Sequence, residues 1–175
     1  MEGESDDFAL SFLARRIVPE IEFTPPLIYH GKKRLPKVLP GYLAAFQFGA
    51  RQGAQPMLHR DSNGEEPAKV ERDLRKFCPE SVSLVIPVQE TEAWLLADPD
   101  AFRRTFRGSS LPRGAPEDLP DPKELLRRLA LEAGVQLTKE RRGALLEELD
   151  LGILQDRCPS FQRFVQLLEK LSHRS

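Results

Sequence analysis

The segment Ser81–Val88 constrains the fold most. Val82, Leu84, Val85 and Ile86 make it a near-continuous apolar run, and a strand apolar on both faces belongs in a sheet covered on both sides. Such sheets are parallel, and their strands are joined through crossover helices. The neighbouring chain supplies those helices. Glu65–Phe77 reads as a polar helix before the run, and Glu90–Leu96 as a helix after it. Pro56–Arg60 reads as a second strand that runs into the turn composition Asp61-Ser62-Asn63-Gly64, and Pro26–His30 as a further short strand. Towards the N-terminus, Ser5 has the chemistry of an N-cap, with Asp6 and Asp7 in the first turn, where the helix dipole favours acids. Phe8, Phe12, Leu13 and Ile17 follow near helical spacing until Pro19, and Val38–Gly53 reads as a helix with Leu39, Leu43, Phe46 and Ala50 on one side. Strands alternating with helices predict an α/β fold with a mostly parallel sheet flanked by helices.

Gly108–Pro120 is rich in Gly, Pro and Ser and reads as a loop, and beyond it the pattern is helical. Asp121 caps one helix with Pro122 at its first position, Thr138 opens a second that runs to Leu149, and Pro159–Leu171 is a third with Phe161, Phe164, Val165, Leu167 and Leu168 for the core. The predicted organisation is an α/β core over 1–107, a linker loop over 108–120, and C-terminal helices over 121–175 packed on the same domain. The sequence leaves open whether those helices form a lid, a docking surface or plain core.

A length of 175 residues fits one domain able to bury its own core. No apolar run approaches the roughly 20 residues that cross a bilayer, so no membrane partner is expected. The acidic opening Met1-Glu2-Gly3-Glu4-Ser5-Asp6-Asp7 is unlike a signal peptide. Cys78 and Cys158 each precede a proline and form no C-x-x-C pair, so no zinc site is indicated; a single bridge between them is the alternative to two free thiols. Free thiols fit a reducing, cytoplasmic setting. The net charge of −1 hides an asymmetry: Phe23–Arg60 holds no acid but carries Lys32, Lys33, Arg34, Lys37, Arg51 and Arg60. That stretch is either a phosphate-tracking surface for nucleic acid or a solvated basic face.

Ligands of open α/β sheets bind beyond the carboxyl ends of the strands. Asp61, Ser62 and Asn63 follow one apparent strand, Gln89, Glu90 and Glu92 follow another, and Glu2 lies before the first helix. Carboxylate oxygens are the ligands of hard cations such as Mg2+ or Mn2+, and such a metal suits phosphoryl chemistry. Each residue also has a plainer reading. Asp61 has the chemistry of an Asx-turn, and Asn63 before Gly64 is ordinary turn composition. Glu90 and Glu92 are two positions apart, so a helix aims only one of them at a site; Glu92 is the favoured one, with Glu90 as an N-terminal helix acid. Trp94 reads as core and Ser160 as polar filler at a helix start. His59 and Arg60 either contact phosphate, balance the acids or stand solvated at a strand end, and Lys123 is either phosphate-steering or a surface lysine.

The opening Glu2-Gly3-Glu4-Ser5-Asp6, the turn Asp61-Ser62-Asn63-Gly64, the block Gln89-Glu90-Thr91-Glu92-Ala93-Trp94-Leu95-Leu96-Ala97-Asp98, and the later Asp121-Pro122-Lys123 and Pro159-Ser160-Phe161-Gln162-Arg163-Phe164 resemble the DUF4276 family across essentially the whole chain. The Glu-x-Glu-Ala-Trp-Leu-Leu-Ala-Asp block is the most specific part. That family resembles TOPRIM domains, Rossmann-like metal-binding modules of topoisomerases, primases and defence nucleases. The resemblance implies a bacterial, Mg2+- or Mn2+-dependent nuclease cutting DNA or RNA, acting with a partner ATPase in phage defence. Glu2, Asp61 and Glu92 would be catalytic, and Glu2, Asp61, Asn63, Glu90 and Glu92 would ring the metal. Lys32, Lys33, Arg34, Lys37 and Arg60 would meet the nucleic acid, and a homodimer is left open. Two departures count against activity. An apolar strand precedes Glu-Gly-Glu-Ser-Asp in the family pattern, whereas this sequence begins at Met1. Asn63 also replaces the second acid of an Asp-x-Asp pair, which favours one metal over two. A non-catalytic interaction subunit on the same fold is the alternative.

Overall fold

The computed structural model describes residues 4–29, 31, 33–49, 54–107 and 110–173. It is a mixed α/β structure, mostly helical, around one small parallel strand pair. The first helix, α1 (Glu4–Ile17), buries Ala9, Leu10, Leu13 and Ala14. Phe8, Phe12 and Ile17 pack half-buried at its margin, so the core stripe lies beside the one the spacing of the large side chains predicts. Asp6 sits on the buried stripe, one turn before Leu10. Residues 21–29 are irregular rather than strand, and Pro25 and Pro26 have no N–H to give a ladder. Tyr29 is nevertheless buried, and its hydroxyl donates to the His59 carbonyl at 3.0 Å. Helix α2 (Leu35–Gly49) begins three residues earlier than its hydrophobic pattern predicts and buries Leu35 and Leu39; the rest of the expected span, 50–53, lies outside the described residues.

Strand β1 (Met57–His59) pairs in parallel with β2 (Ser83–Val85), Met57 opposite Ser83, Leu58 opposite Leu84, His59 opposite Val85. Helix α3 (Pro67–Arg75) makes the crossover. Among the described residues this pair is the whole sheet, so of the three strands read from the sequence the second and third remain. Both faces are covered. Leu58 and Leu84 face a cluster that includes Leu35, Leu39, Val70, Leu74, Cys78 and Val82, while Met57 and Val85 face the larger core.

That larger core joins α1 to everything after β2. It takes in α4 (Glu92–Leu95), α5 (Pro99–Thr105), α6 (Pro122–Glu132), α7 (Lys139–Glu148), α8 (Leu151–Arg157) and α9 (Pro159–Ser172). Its largest members include Trp94, Phe102, Phe106 and Phe161, all fully buried. Trp94 stacks on Phe164 at 5.5 Å and meets Phe161 edge-on at 5.2 Å. Several of these helices start on side-chain caps: Asp121 accepts from the Glu124 N–H, Thr138 from Arg141, and Asp150 from Gly152 and Ile153. Asp98 does more. Its Oδ1 accepts from Asp100 and Ala101 at the start of α5, and its Oδ2 accepts from the Asp150 N–H, where α8 begins. No described helix is long and apolar enough to cross a membrane.

Candidate functional site

The strand pairing continues past both strands and builds a rigid double loop at their carboxyl ends. Arg60 donates its N–H to the Val85 carbonyl at 3.0 Å, Ser62 to Pro87 at 3.1 Å, and Asn63 to Gln89 at 2.9 Å. Asn63 and Gln89 both take left-handed backbone, φ 48° and 60°, which non-glycine residues seldom adopt. The Ser62 hydroxyl accepts from the Gln89 N–H at 2.8 Å. A second clamp comes from α9. The Ser160 hydroxyl accepts from the Val88 N–H and from Trp94 Nε1 (3.3 and 2.8 Å), and donates to the buried carboxylate of Glu117. Ser160 is therefore a junction that holds the loop before Glu92, which its position at a helix start does not reveal.

These loops place three acids together. Asp61 is buried, and its Oδ1 accepts from the Thr91 N–H at 3.2 Å and the Thr91 hydroxyl at 3.4 Å, with His59 Nε2 at 3.2 Å. Glu92, the first residue of α4, is 2% exposed. Its Oε1 is 3.0 Å from Arg142 Nη1 on α7 and 3.6 Å from Lys123 Nζ on α6. Asp6 joins them from the first turn of α1. Its carboxyl is pushed up to about 6, first by burial and then by Asp61 and Glu92, against the pull of His59 and Lys123. Burial pulls the Lys123 ammonium down, but Glu92, Asp6 and Glu90 overcome it and hold the group above its ordinary value.

Three polar atoms here are buried and have no hydrogen-bond partner: Asp6 Oδ1, His59 Nδ1 and Glu92 Oε2. Buried polar atoms are nearly always paired, so three orphans in one charge cluster are unusual. Two are carboxylate oxygens and one is an imidazole nitrogen, which is the donor chemistry of a divalent cation site. Among the described residues, however, no group of three or more His, Cys, Asp and Glu side chains stands ready to hold a metal ion. Arg142 and Lys123 supply the positive charge next to Glu92 instead.

The other residues singled out in the sequence divide differently. Glu90 is half-buried, and its Oε2 accepts from the Lys123 N–H at 3.0 Å, so it serves the start of α6; burial raises its carboxyl above the usual range and that bond opposes it. Asn63 shapes the turn, and its amide reaches the Asp61 carbonyl at 3.4 Å. Arg60 is 8% exposed and pairs with Glu65 at 2.7 Å, so it is no free surface cation. Lys33, Arg34 and Lys37 are exposed at the start of α2. Glu2 and Lys32 lie outside the described residues. A cleft of about 360 Å³ is lined by Asn63, Gly64, Gln89, Glu90, Pro120 and Asp121, and none of Asp6, Asp61 and Glu92 lines it.

Sequence reasoning missed Asp6 and Arg142. The signal for Asp6 was available: it occupies the same helical stripe as Ala9, Leu10, Leu13 and Ala14, where an acid has no business unless it is used. Arg142 carries no comparable mark.

These features define a mixed α/β protein with a buried acidic site at the carboxyl ends of a parallel strand pair. The chain belongs to the DUF4276 family, a domain of unknown function, whose model matches residues 1–169 of the 175. No curated protein and no solved structure matches it.

Proposed function

We propose that this chain binds one divalent cation, Mg2+ or Mn2+, among Asp6, Asp61 and Glu92, and hydrolyses phosphodiester bonds of nucleic acid there, on a sheet of TOPRIM-like design. The observation that carries the reading is the pair of buried carboxylate oxygens without donors, Asp6 Oδ1 and Glu92 Oε2. A cation between them would give both a partner, and among the described residues neither oxygen has a hydrogen-bond partner. Asp6 adds to the acids expected from the sequence, of which Glu2 lies outside the described residues. When bound, such a metal polarises the phosphate and lowers the pKa of an attacking water. The chain's own groups do the rest. Asp61 is held by Thr91, so its second oxygen is free to face the cation. Lys123 and Arg142 exchange Glu92 for a phosphate oxygen, the bidentate chemistry that guanidinium favours. Lys33, Arg34 and Lys37 meet the flanking phosphates.

A second reading has one observation in its favour. The Arg142 and Lys123 contacts already neutralise Glu92, as they would in a non-catalytic subunit that docks on a partner ATPase. Calorimetric titration of Mn2+ and Mg2+ into EDTA-treated, dialysed protein separates the two. Binding that is lost in both Asp61→Ala and Asp6→Asn supports the metal reading, and nuclease assays with the same variants then test the chemistry. Absence of binding by either ion overturns it and leaves the docking subunit.

A further inference from the structure

The double loop at the strand ends also forms the cleft of about 360 Å³, a volume within the span of small-molecule sites. Its walls draw on the loops that carry the acids: Asn63 follows Asp61 by two residues, and Glu90 precedes Glu92 by two. Gln89 is the unusual residue on this wall. Its backbone is left-handed, φ 60°, a conformation that glycine takes freely and glutamine does not. Both of its backbone groups are pinned. The N–H donates to the Ser62 hydroxyl at 2.8 Å, and the carbonyl accepts from the Asn63 N–H at 2.9 Å. Among the described residues these are the hydrogen bonds that Gln89 makes, so its side-chain amide is left to the cleft. Strain that the surroundings enforce gathers where a side chain is aimed at a ligand. Glu90, next along, gives Oε2 to the Lys123 N–H, and its Oε1 is uncommitted among the described residues.

The chemistry of this wall selects the ligand. Glu90 and Asp121 make the cleft acidic, which repels a phosphate. A carboxylate only accepts, while an amide offers a donor and an acceptor. The uncharged part of a nucleic acid that meets both is a base edge. Guanine's Watson–Crick edge presents two adjacent donors, N1–H and the exocyclic amino group, beside the O6 acceptor. A duplex occupies that edge, so the base must be unpaired. Building on the nucleic-acid reading above, we propose that this cleft receives an unpaired guanine, with Glu90 accepting from its N1–H and amino group and the Gln89 amide donating to O6. The chain then reads single-stranded, guanine-containing substrate, while Lys33, Arg34 and Lys37 position the strand without reading it.

Saturation-transfer difference NMR titrations of the full chain in EDTA, with guanosine, inosine and uridine as probes, test this without any metal. Inosine is guanosine without the amino group. Guanosine should bind at least about tenfold more tightly than inosine, the worth of one hydrogen bond to a charged group, and uridine should not bind. Gln89→Gly should melt no lower than the wild type, because glycine suits φ 60°, and yet lose guanosine. Glu90→Gln keeps an oxygen for the Lys123 N–H but should erase the preference for guanosine over inosine. Equal binding of guanosine and inosine, or binding of neither, overturns this proposal on wild-type protein alone, and the Mn2+ titration still decides the metal reading. Guanosine bound selectively by a chain that takes up no metal upholds the cleft and removes the nuclease.

Discussion

Replacing Asp6 by asparagine should make the metal-free protein more stable at neutral pH. The Asp6 carboxyl is pushed up from its ordinary 3.8 to about 6, with burial as the largest cause. A shift of about 2 units at 1.36 kcal/mol each gives roughly 3 kcal/mol, good to about a factor of two. Because the native state holds this proton more tightly than the unfolded chain, Asp6 favours folding fully below about pH 4. That contribution is lost as the pH rises through about 6. Above that the buried, ionised carboxylate is a liability that asparagine lacks. The variant should therefore gain roughly 3 kcal/mol at pH 7.5 but only about 1 kcal/mol at pH 4.5. For a chain of this size each kcal/mol moves Tm by about 2–4 °C, so scanning calorimetry in EDTA should show a rise of about 6–12 °C at the higher pH. A variant that melts lower at pH 7.5, or whose gain is equal at both pH values, refutes the reasoning. Mn2+ at about a thousand times its Kd should reverse the order, since it adds about 4.1 kcal/mol to the wild type alone.

Three further outcomes follow from the same contacts. Arg142→Ala should cost roughly 3 kcal/mol in urea unfolding, because Glu92 stays buried with only Lys123 at 3.6 Å, and Mn2+ should recover part of the loss. Ser160→Ala should cost about 2 kcal/mol, since Trp94 Nε1, the Val88 N–H and Glu117 all lose their shared partner; a loss near zero would show that the loop does not rest on α9. Glutamine at Lys33, Arg34 and Lys37 together should flatten the log–log salt dependence of duplex binding by about 2–3 without shifting Tm.

What the sequence made legible was whatever rests on local chemistry. The caps at Asp121 and Thr138 and the apolar run through Val85 all lead to the observed elements. Asp98-Pro99 carries the same cap-then-proline signal as Asp121-Pro122, yet no helix is read there from the sequence, because seven residues show too little periodicity. Pro26–His30 has strand composition but is irregular, and Tyr29 is buried through a hydrogen bond 30 residues away. At the site, Asp61 and Glu92 were legible because strand ends are where α/β ligands sit. Asp6 was hidden because the helix dipole explains a first-turn acid equally well. Glu90 and Glu92 could be separated only in part: helical spacing says that they diverge, and only the fold shows that Glu90 turns to α6. Arg142 lies 50 positions from Glu92, a distance no local pattern spans. Most of the recognisable Glu-x-Glu-Ala-Trp-Leu-Leu-Ala-Asp block proves to be architecture, since Trp94, Leu95 and Leu96 are core and Asp98 is a cap.

The two oxygens of Asp98 start two helices at once, and this makes the lengths of distant segments a joint property. Sliding α5 or α8 by one residue would free one helix start while leaving the other seated. Inserted or deleted residues between the two should therefore gather where they leave both ends in place, in the exposed turn at Pro112–Ala115 rather than next to either cap. Glutamate at position 98, one methylene longer, would misplace both helices together, so the mildest change in chemistry there would be among the harshest in geometry.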